Sequence, residues 1–213
     1  MTFERTDPFY VLDLSDPVLP KVLGELEIPG FSQFMHPINE DKSVLITVGQ
    51  DADENGVLLG LQISLFNSTI STDPKLVDRF VLKNNNRGSS GSSSTWDERA
   101  FRYIQVGEVG RLIIPVDIYS WDAYGSNSFD GFMVFGVDLG KTENMITLET
   151  KIDHSHIPNY DCFCCSTPWL ADRNMVFGGN LMTMKNQNAI STDLVTQEMR
   201  WNLTFSDEDR CKN

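Results

Sequence analysis

Asp51-Ala-Asp-Glu-Asn-Gly56 places oxygen-bearing side chains at alternate positions and follows them with glycine. That is the opening pattern of a calcium loop. A hard cation needs converging carboxylate and amide oxygens, and Gly56 lets the chain turn between them. Asp51, Asp53 and Asn55 are the expected ligands, and calcium is the cofactor this pattern points to. The twelfth loop position is Gln62 rather than Glu, so the bidentate closing ligand is missing and any such site is weak. An ordinary acidic turn is the competing reading.

The chain has three histidines, His36, His154 and His156. His154 and His156 share one strand face beside Asp153, a metal-like spacing with no third nitrogen or sulfur ligand outside the cysteine cluster. That cluster is Cys162, Cys164 and Cys165, with Cys211 near the end of the chain. Zinc would need both Cys164 and Cys165 as ligands, which is sterically awkward. A disulfide from the trio to Cys211 is the more natural expectation. Trp96-Asp97 and Trp121-Asp122 pair an aromatic with an acid, suited either to a ligand-facing rim or to packing and turn capping. No serine sits in a nucleophile elbow. Gly88-Ser-Ser-Gly91 lacks the lysine of a phosphate loop. Acid–base chemistry would therefore fall to paired carboxylates.

Charge narrows the partners. Acidic residues outnumber basic ones 30 to 17, for a net charge of -13, a field that repels a phosphate backbone and argues against nucleic acid as a partner. No run of about 18 apolar residues is present, so no helical membrane span is expected. Residues 1–8 carry no basic-then-apolar leader pattern. The sequons Asn67-Ser-Thr and Asn202-Leu-Thr, together with the cysteine trio, point to glycosylation at Asn67 and Asn202 and to a secreted or extracytoplasmic location.

The elements that must hold these residues follow a repeat. Leu12-Asp13-Leu14, Phe66-Asn67, Val137-Asp138-Leu139 and Thr192-Asp193-Leu194 recur at intervals of roughly 54 to 71 residues. Pro20-Lys-Val-Leu-Gly24 and Pro74-Lys-Leu-Val-Asp78 follow the first two. Between the markers lie β-branched and apolar runs of strand length, bounded by Pro, Gly and Asn turns. Helical periodicity with credible caps is absent, which disfavours an α/β enzyme. The expectation is an all-β array of four-stranded antiparallel blades over residues 8–206, one half blade followed by about three blades. Residues 84–95 (Asn, Gly, Ser, Thr) read as a flexible insertion, and 207–213 as a tail. Closed propellers take about four to eight blades, so this array is incomplete by itself. The remaining blades would come from a longer parent chain or another subunit.

Val11-Leu-Asp-Leu-Ser-Asp-Pro17, Gly24-Glu-Leu-Glu-Ile-Pro-Gly-Phe31, His36-Pro37, Gly49-Gln-Asp-Ala-Asp-Glu-Asn-Gly56, Gly60-Leu-Gln-Ile-Ser-Leu-Phe66 and Trp96-Asp97 with Ala100-Phe101 carry a resemblance. Together they resemble a secreted beta-propeller domain family distantly related to WD-40 repeats, over most of residues 9–205. The resemblance implies an extracytoplasmic propeller and supplies no catalytic mechanism. Two departures stand out. Glu98-Arg99 occupies the place of the family's His-Lys after Trp-Asp, and Asn67 that of its Asp after Phe66.

The leading functional expectation is a non-catalytic extracellular propeller module that binds a protein or glycan at its rim, through Trp96, Asp97, Trp121 and Asp122. The alternative is a hydrolase or lyase of an extracellular polymer, using carboxylates around the propeller channel.

Overall fold

Each marker of the repeat ends a strand and opens a turn in the computed structural model, which describes residues 8–83, 88–120, 128–155, 171–185 and 187–205. Asp13 Oδ1 accepts the Ser15 N–H at 2.9 Å, and Asn67 Oδ1 accepts that of Thr69 at 2.9 Å. Asp138 Oδ1 accepts the Gly140 N–H at 3.0 Å. Asp193 Oδ1 accepts from Val195 and Thr196 at 2.9 and 2.8 Å. A short side chain with a carbonyl-like oxygen satisfies the turn's orphan N–H two residues on. Asn67 keeps that oxygen, which is why it can stand where an Asp is expected.

The strands between the markers pair antiparallel. β1 (Phe9–Asp13) and β2 (Lys21–Leu26) form sheet one. β3 (Phe31–Pro37), β4 (Val44–Ala52), β5 (Leu58–Asn67) and β6 (Lys75–Lys83) form sheet two in chain order. Sheet three contains β7 (Gly88–Gly91), β8 (Arg102–Val106), β9 (Val109–Ser120), β10 (Phe129–Val137) and β11 (Ile146–Asp153). Sheet four runs β12 (Arg173–Phe177), β13 (Asn180–Lys185), β14 (Asn188–Asp193) and β15 (Met199–Thr204). No α-helix forms among the described residues. The all-β, antiparallel expectation holds. The markers close the third strand of sheets two to four, so β1 and β2 correspond to the third and fourth strands of a blade.

Sheets two, three and four stack face to face. Side chains alternate across a strand, so a strand buried on both faces is apolar throughout. In β9, Leu112, Ile114 and Val116 meet Ile46, Val48, Leu61, Ile63 and Leu65 of sheet two. Ile113, on the opposite face, meets Leu181 and Ile190 of sheet four, together with Phe132 and Val134 of β10. Each such side chain contributes about 1.5–3 kcal/mol on burial, and the clusters hold the stack together. Sheet one rests on sheet two through Phe9 and Phe66, whose rings stack at 4.6 Å.

The expectation of a flexible insertion over 84–95 changes for residues 88–95, which form a strand and a 3-10 turn; residues 84–87 lie outside the described ones. Gly88–Gly91 pairs with β9, and Ser90, Ser92 and Ser94 are buried. Ser90 Oγ accepts the Leu61 N–H at 2.8 Å and donates to the Leu82 carbonyl at 3.2 Å, stitching sheet three to sheet two. Gly60 has φ +140°, and a Cβ there would lie 2.1 Å from the Leu82 oxygen and 2.9 Å from Ser90 Oγ. The small side chains are required by close backbone approach, which composition alone reads as disorder.

Candidate functional site

One edge of β9 is divided between two partners. Gly88–Gly91 covers the Asp117–Ser120 end, and Arg102–Val106 covers the Val109–Ile113 end. Between them the chain leaves the sheet in two 3-10 turns, Ser93–Thr95 and Glu98–Ala100. Trp96 sits between these turns and is 76% exposed. Phe34, Thr95, Asp97, Glu98 and Arg99 line a groove beside it. Phe34 packs on Phe101 at 4.7 Å beneath the groove, and the His36 ring lies 5.2 Å from Phe101. Burial pushes the His36 imidazole below its ordinary range, so it behaves as a neutral packing group.

The platform under Trp96 is rigid by hydrogen bonding. Ser92 Oγ donates to the Pro115 carbonyl at 2.5 Å, and Thr95 Oγ1 donates to the Ser92 carbonyl at 2.8 Å. Asp97 caps the second turn by accepting the Arg99 N–H at 3.1 Å. Its other oxygen meets Arg173 Nη1 of β12 at 2.6 Å, and that hydrogen bond holds the carboxyl below the usual carboxylate range. Arg102 donates to the Asn174 side chain at 2.6 Å and to its carbonyl at 2.9 Å. The Asn174 amide returns a bond to the Ala100 carbonyl at 2.7 Å. Sheet four thus clamps the loop carrying Trp96. The exposed indole offers an apolar face, with a carboxylate and a guanidinium beside it, suited to stacking and orienting a ligand.

A second cluster joins sheets three and four and extends from the same loop. Lys185 is 5% exposed, and its ammonium lies 2.9 Å from Asp117, 3.0 Å from Asp130 and 3.0 Å from Asp172. Ser93 Oγ donates to Asp172 at 2.6 Å. Burial pushes the Asp172 carboxyl up, and the Ser93 hydrogen bond opposes that shift. His154 is buried beside this cluster. Its Nε2 lies 3.0 Å from Thr183 Oγ1, and its backbone N–H donates to the Asp130 carbonyl at 2.8 Å. Desolvation pushes the imidazole down to about 4, so the ring is neutral at pH 7. The three carboxylates are held on a lysine and form an ionic clasp between blades.

Several sequence expectations change here. Of the expected calcium ligands Asp51, Asp53 and Asn55, the two carboxylates are engaged by protein groups. Asp51 is buried in β4 and pairs with Arg79 of β6 at 3.1 Å. Asp53 Oδ1 accepts the N–H groups of Asn55 and Val57 at 2.9 and 2.8 Å, forming an acidic turn. Among the described residues no group of three or more His, Cys, Asp or Glu side chains is placed to hold a metal. Asp97 is a turn cap and ion-pair partner, while Trp96 is the exposed member of its pair. Asn67 lies at the end of β5 and Asn202 on exposed β15. Trp121, Asp122, His156, Cys162, Cys164, Cys165 and Cys211 lie outside the described residues.

The clasp was missed in the sequence, although a signal for it exists. Leu181, Thr183 and Lys185 alternate on the inward face of β13, so a lysine there must find buried partners. Asp117 likewise interrupts the apolar run of β9. Which acids would meet the lysine could not be read, because they come from three separate segments.

The described residues contain no helix long and apolar enough to cross a membrane. Among proteins of known sequence, the chain is 45% identical over 82 residues to an uncharacterised protein of Methanocaldococcus jannaschii, covering 38% of this chain and 12% of that one. It is 42% identical over 83 residues to an uncharacterised protein of Archaeoglobus fulgidus, covering 39% and 12% respectively. The matched segment thus spans a small part of these relatives. Among solved structures, the AfRom2 CNH domain aligns with 90% of this chain and 59% of its own at 11% identity and a TM-score of 0.28. A eukaryotic initiation factor aligns with 89% and 48% at 10% identity and a TM-score of 0.27. The description of the beta propeller domain family matches residues 1–197, nearly the whole of the blade array, and the chain belongs to that family.

Proposed function

We propose that this chain is a non-catalytic, extracellular propeller module that binds a protein or glycan at its rim through the groove beside Trp96. The observation carrying this reading is a tryptophan 76% exposed on a loop that buried serines and Asn174 hold in place. A large indole left in water on a rigid support is suited to contact, because the loop that carries it is already ordered and a tryptophan has only two side-chain torsions to fix on binding. The sequons at Asn67 and Asn202, and the Cys162, Cys164, Cys165 and Cys211 set, support the extracellular part. Polymer cleavage would need two carboxylates available to give and take a proton. Among the described residues, the carboxylates of Asp117, Asp130 and Asp172 converge, and they surround Lys185.

The test is binding of the purified protein to glycan and peptide arrays, with hits measured by titration. Trp96→Ala is expected to weaken a true hit roughly 30-fold, the effect of an aromatic hot spot. Val195→Ala, on an exposed turn, is expected to leave it unchanged. A hit indifferent to Trp96→Ala places recognition elsewhere and overturns the assignment.

A further inference from the structure

Lys185 is a buried primary amine surrounded by carboxyl groups from three segments. A desolvated nucleophile held against an acyl carbon has what an amide bond needs. Asp172 is the carboxyl best placed to supply that carbon. Arg173 pairs with Met184 at the end of the β12–β13 ladder, which sets Asp172 opposite Lys185. Its Oδ2 lies 3.0 Å from the lysine nitrogen, and its side chain is 13% exposed, against 50% for Asp117 and 37% for Asp130. The same oxygen accepts the Ser93 hydroxyl at 2.6 Å. Burial favours the uncharged form of Asp172, which is the form an amine can attack.

We propose that Lys185 and Asp172 condense into a side-chain amide, an isopeptide bond between β13 and the start of β12, with Asp117 and Asp130 carrying the proton. The step balances without any added reactant. One ammonium proton passes to Asp172, leaving an amine and a carboxylic acid. The nitrogen lone pair attacks the carboxyl carbon, and the Ser93 hydroxyl supports the oxygen on which charge gathers. A second proton leaves the nitrogen for the carboxylate of Asp117 or Asp130, which lie 2.9 and 3.0 Å from it. That proton goes to the departing hydroxyl, the carbon–oxygen bond breaks, and water is released. The nitrogen keeps one hydrogen.

Two effects drive the condensation. In water an amine and an acid stay apart because their ions are well hydrated. Here the ammonium and Asp172 are already largely stripped of water, so the bond removes two charges that burial penalises. Groups held in the right geometry also react at effective concentrations of about 10⁵ M or more. Asp117 and Asp130 reach solvent, so their charges remain hydrated once the ammonium is consumed. The ionic clasp is the reactant state, and the responses expected of its charges belong to the unreacted chain. This inference is independent of the Trp96 groove.

Mass spectrometry of the folded 213-residue protein, incubated at neutral pH and then denatured and reduced, tests the bond. Most wild-type molecules are expected to be lighter than the sequence mass by one water. Trypsin cuts after Arg173 but not after an acylated lysine. The expected product is therefore residues 152–173 joined, through Asp172 and Lys185, to residues 174–200. Lys185→Arg and Asp172→Ala are each expected to keep the full mass, with circular dichroism establishing that they are folded. Replacing both Asp117 and Asp130 by Ser is expected to slow the water loss about 100-fold. A folded wild type that keeps the full sequence mass overturns the proposal and leaves the clasp ionic. Water loss without the joined peptide also overturns it, because that pattern belongs to a cyclised backbone imide. A joined peptide running through Asp117 or Asp130 overturns the choice of Asp172. An undiminished rate in the double Ser variant overturns the proton-carrying role.

Discussion

At the residue scale, the repeat is a turn device. Asp13, Asn67, Asp138 and Asp193 each cap the turn after a third strand, so the acidity of the marker needs no functional explanation. The same scale holds the molecule's clearest pH response. His154 is neutral in the fold because burial lowers its pKa from 6.5 to about 4. Between those values the unfolded chain binds a proton that the native ring does not, so stability is present above pH 6.5 and falls as pH drops toward 4. The full loss is about 3 kcal/mol. The raised Asp172 works in the opposite sense, since the native carboxyl takes its proton first as pH falls. The difference between wild type and His154→Gln isolates the histidine. Urea denaturation at pH 7.5 and pH 4.5 is expected to show a smaller stability loss on acidification in His154→Gln. Equal losses would assign the acid sensitivity elsewhere.

At the element scale, the Lys185 clasp ties β13 to β9 and β10, and to Asp172 just before β12. Removing one partner of a buried ionic cluster is worse than never having built it, because the remaining charges stay desolvated. Asp117 and Asp130 reach solvent, their side chains being 50% and 37% exposed, so the cost falls at the low end of the usual range. Lys185→Met is expected to destabilise by about 3 kcal/mol in urea at pH 7, and adding Asp172→Asn to restore part of that. No recovery in the double variant would mean that the lysine acts through packing. Strand existence was legible for nearly every element. Leu58–Asn67, Phe129–Val137 and Asn188–Asp193 end at the repeat markers, where turn chemistry placed a strand end. Gly88–Gly91 was not legible, because its small residues answer to the backbone of β5 and β6 rather than to any local preference.

At the scale of the whole molecule, the sheets form a one-dimensional stack in which each touches its neighbours. Stability in such arrays sums over sheets and the interfaces between them. Sheet three is covered on both faces, whereas β15 and the outer face of sheet one are exposed. Hydrogen exchange is therefore expected to be slowest in β9 and β10. Exchange in β15 and in β1 is expected to be roughly 100-fold faster or more. Uniform protection along the chain would argue for one cooperative unit instead.

The sequence by itself determined the all-β class, the blade repeat and nearly all the strands. These follow from periodicity, turn chemistry and apolar runs, which are local properties of the chain. Only the tertiary structure decided which polar groups meet. It gave Asp51 to Arg79, three aspartates to Lys185 and Asp97 to Arg173, and it left Trp96 in solvent. A charged side chain's fate depends on partners dozens of residues away, brought near by the stacking of sheets. Spacing in the chain carries no record of that distance.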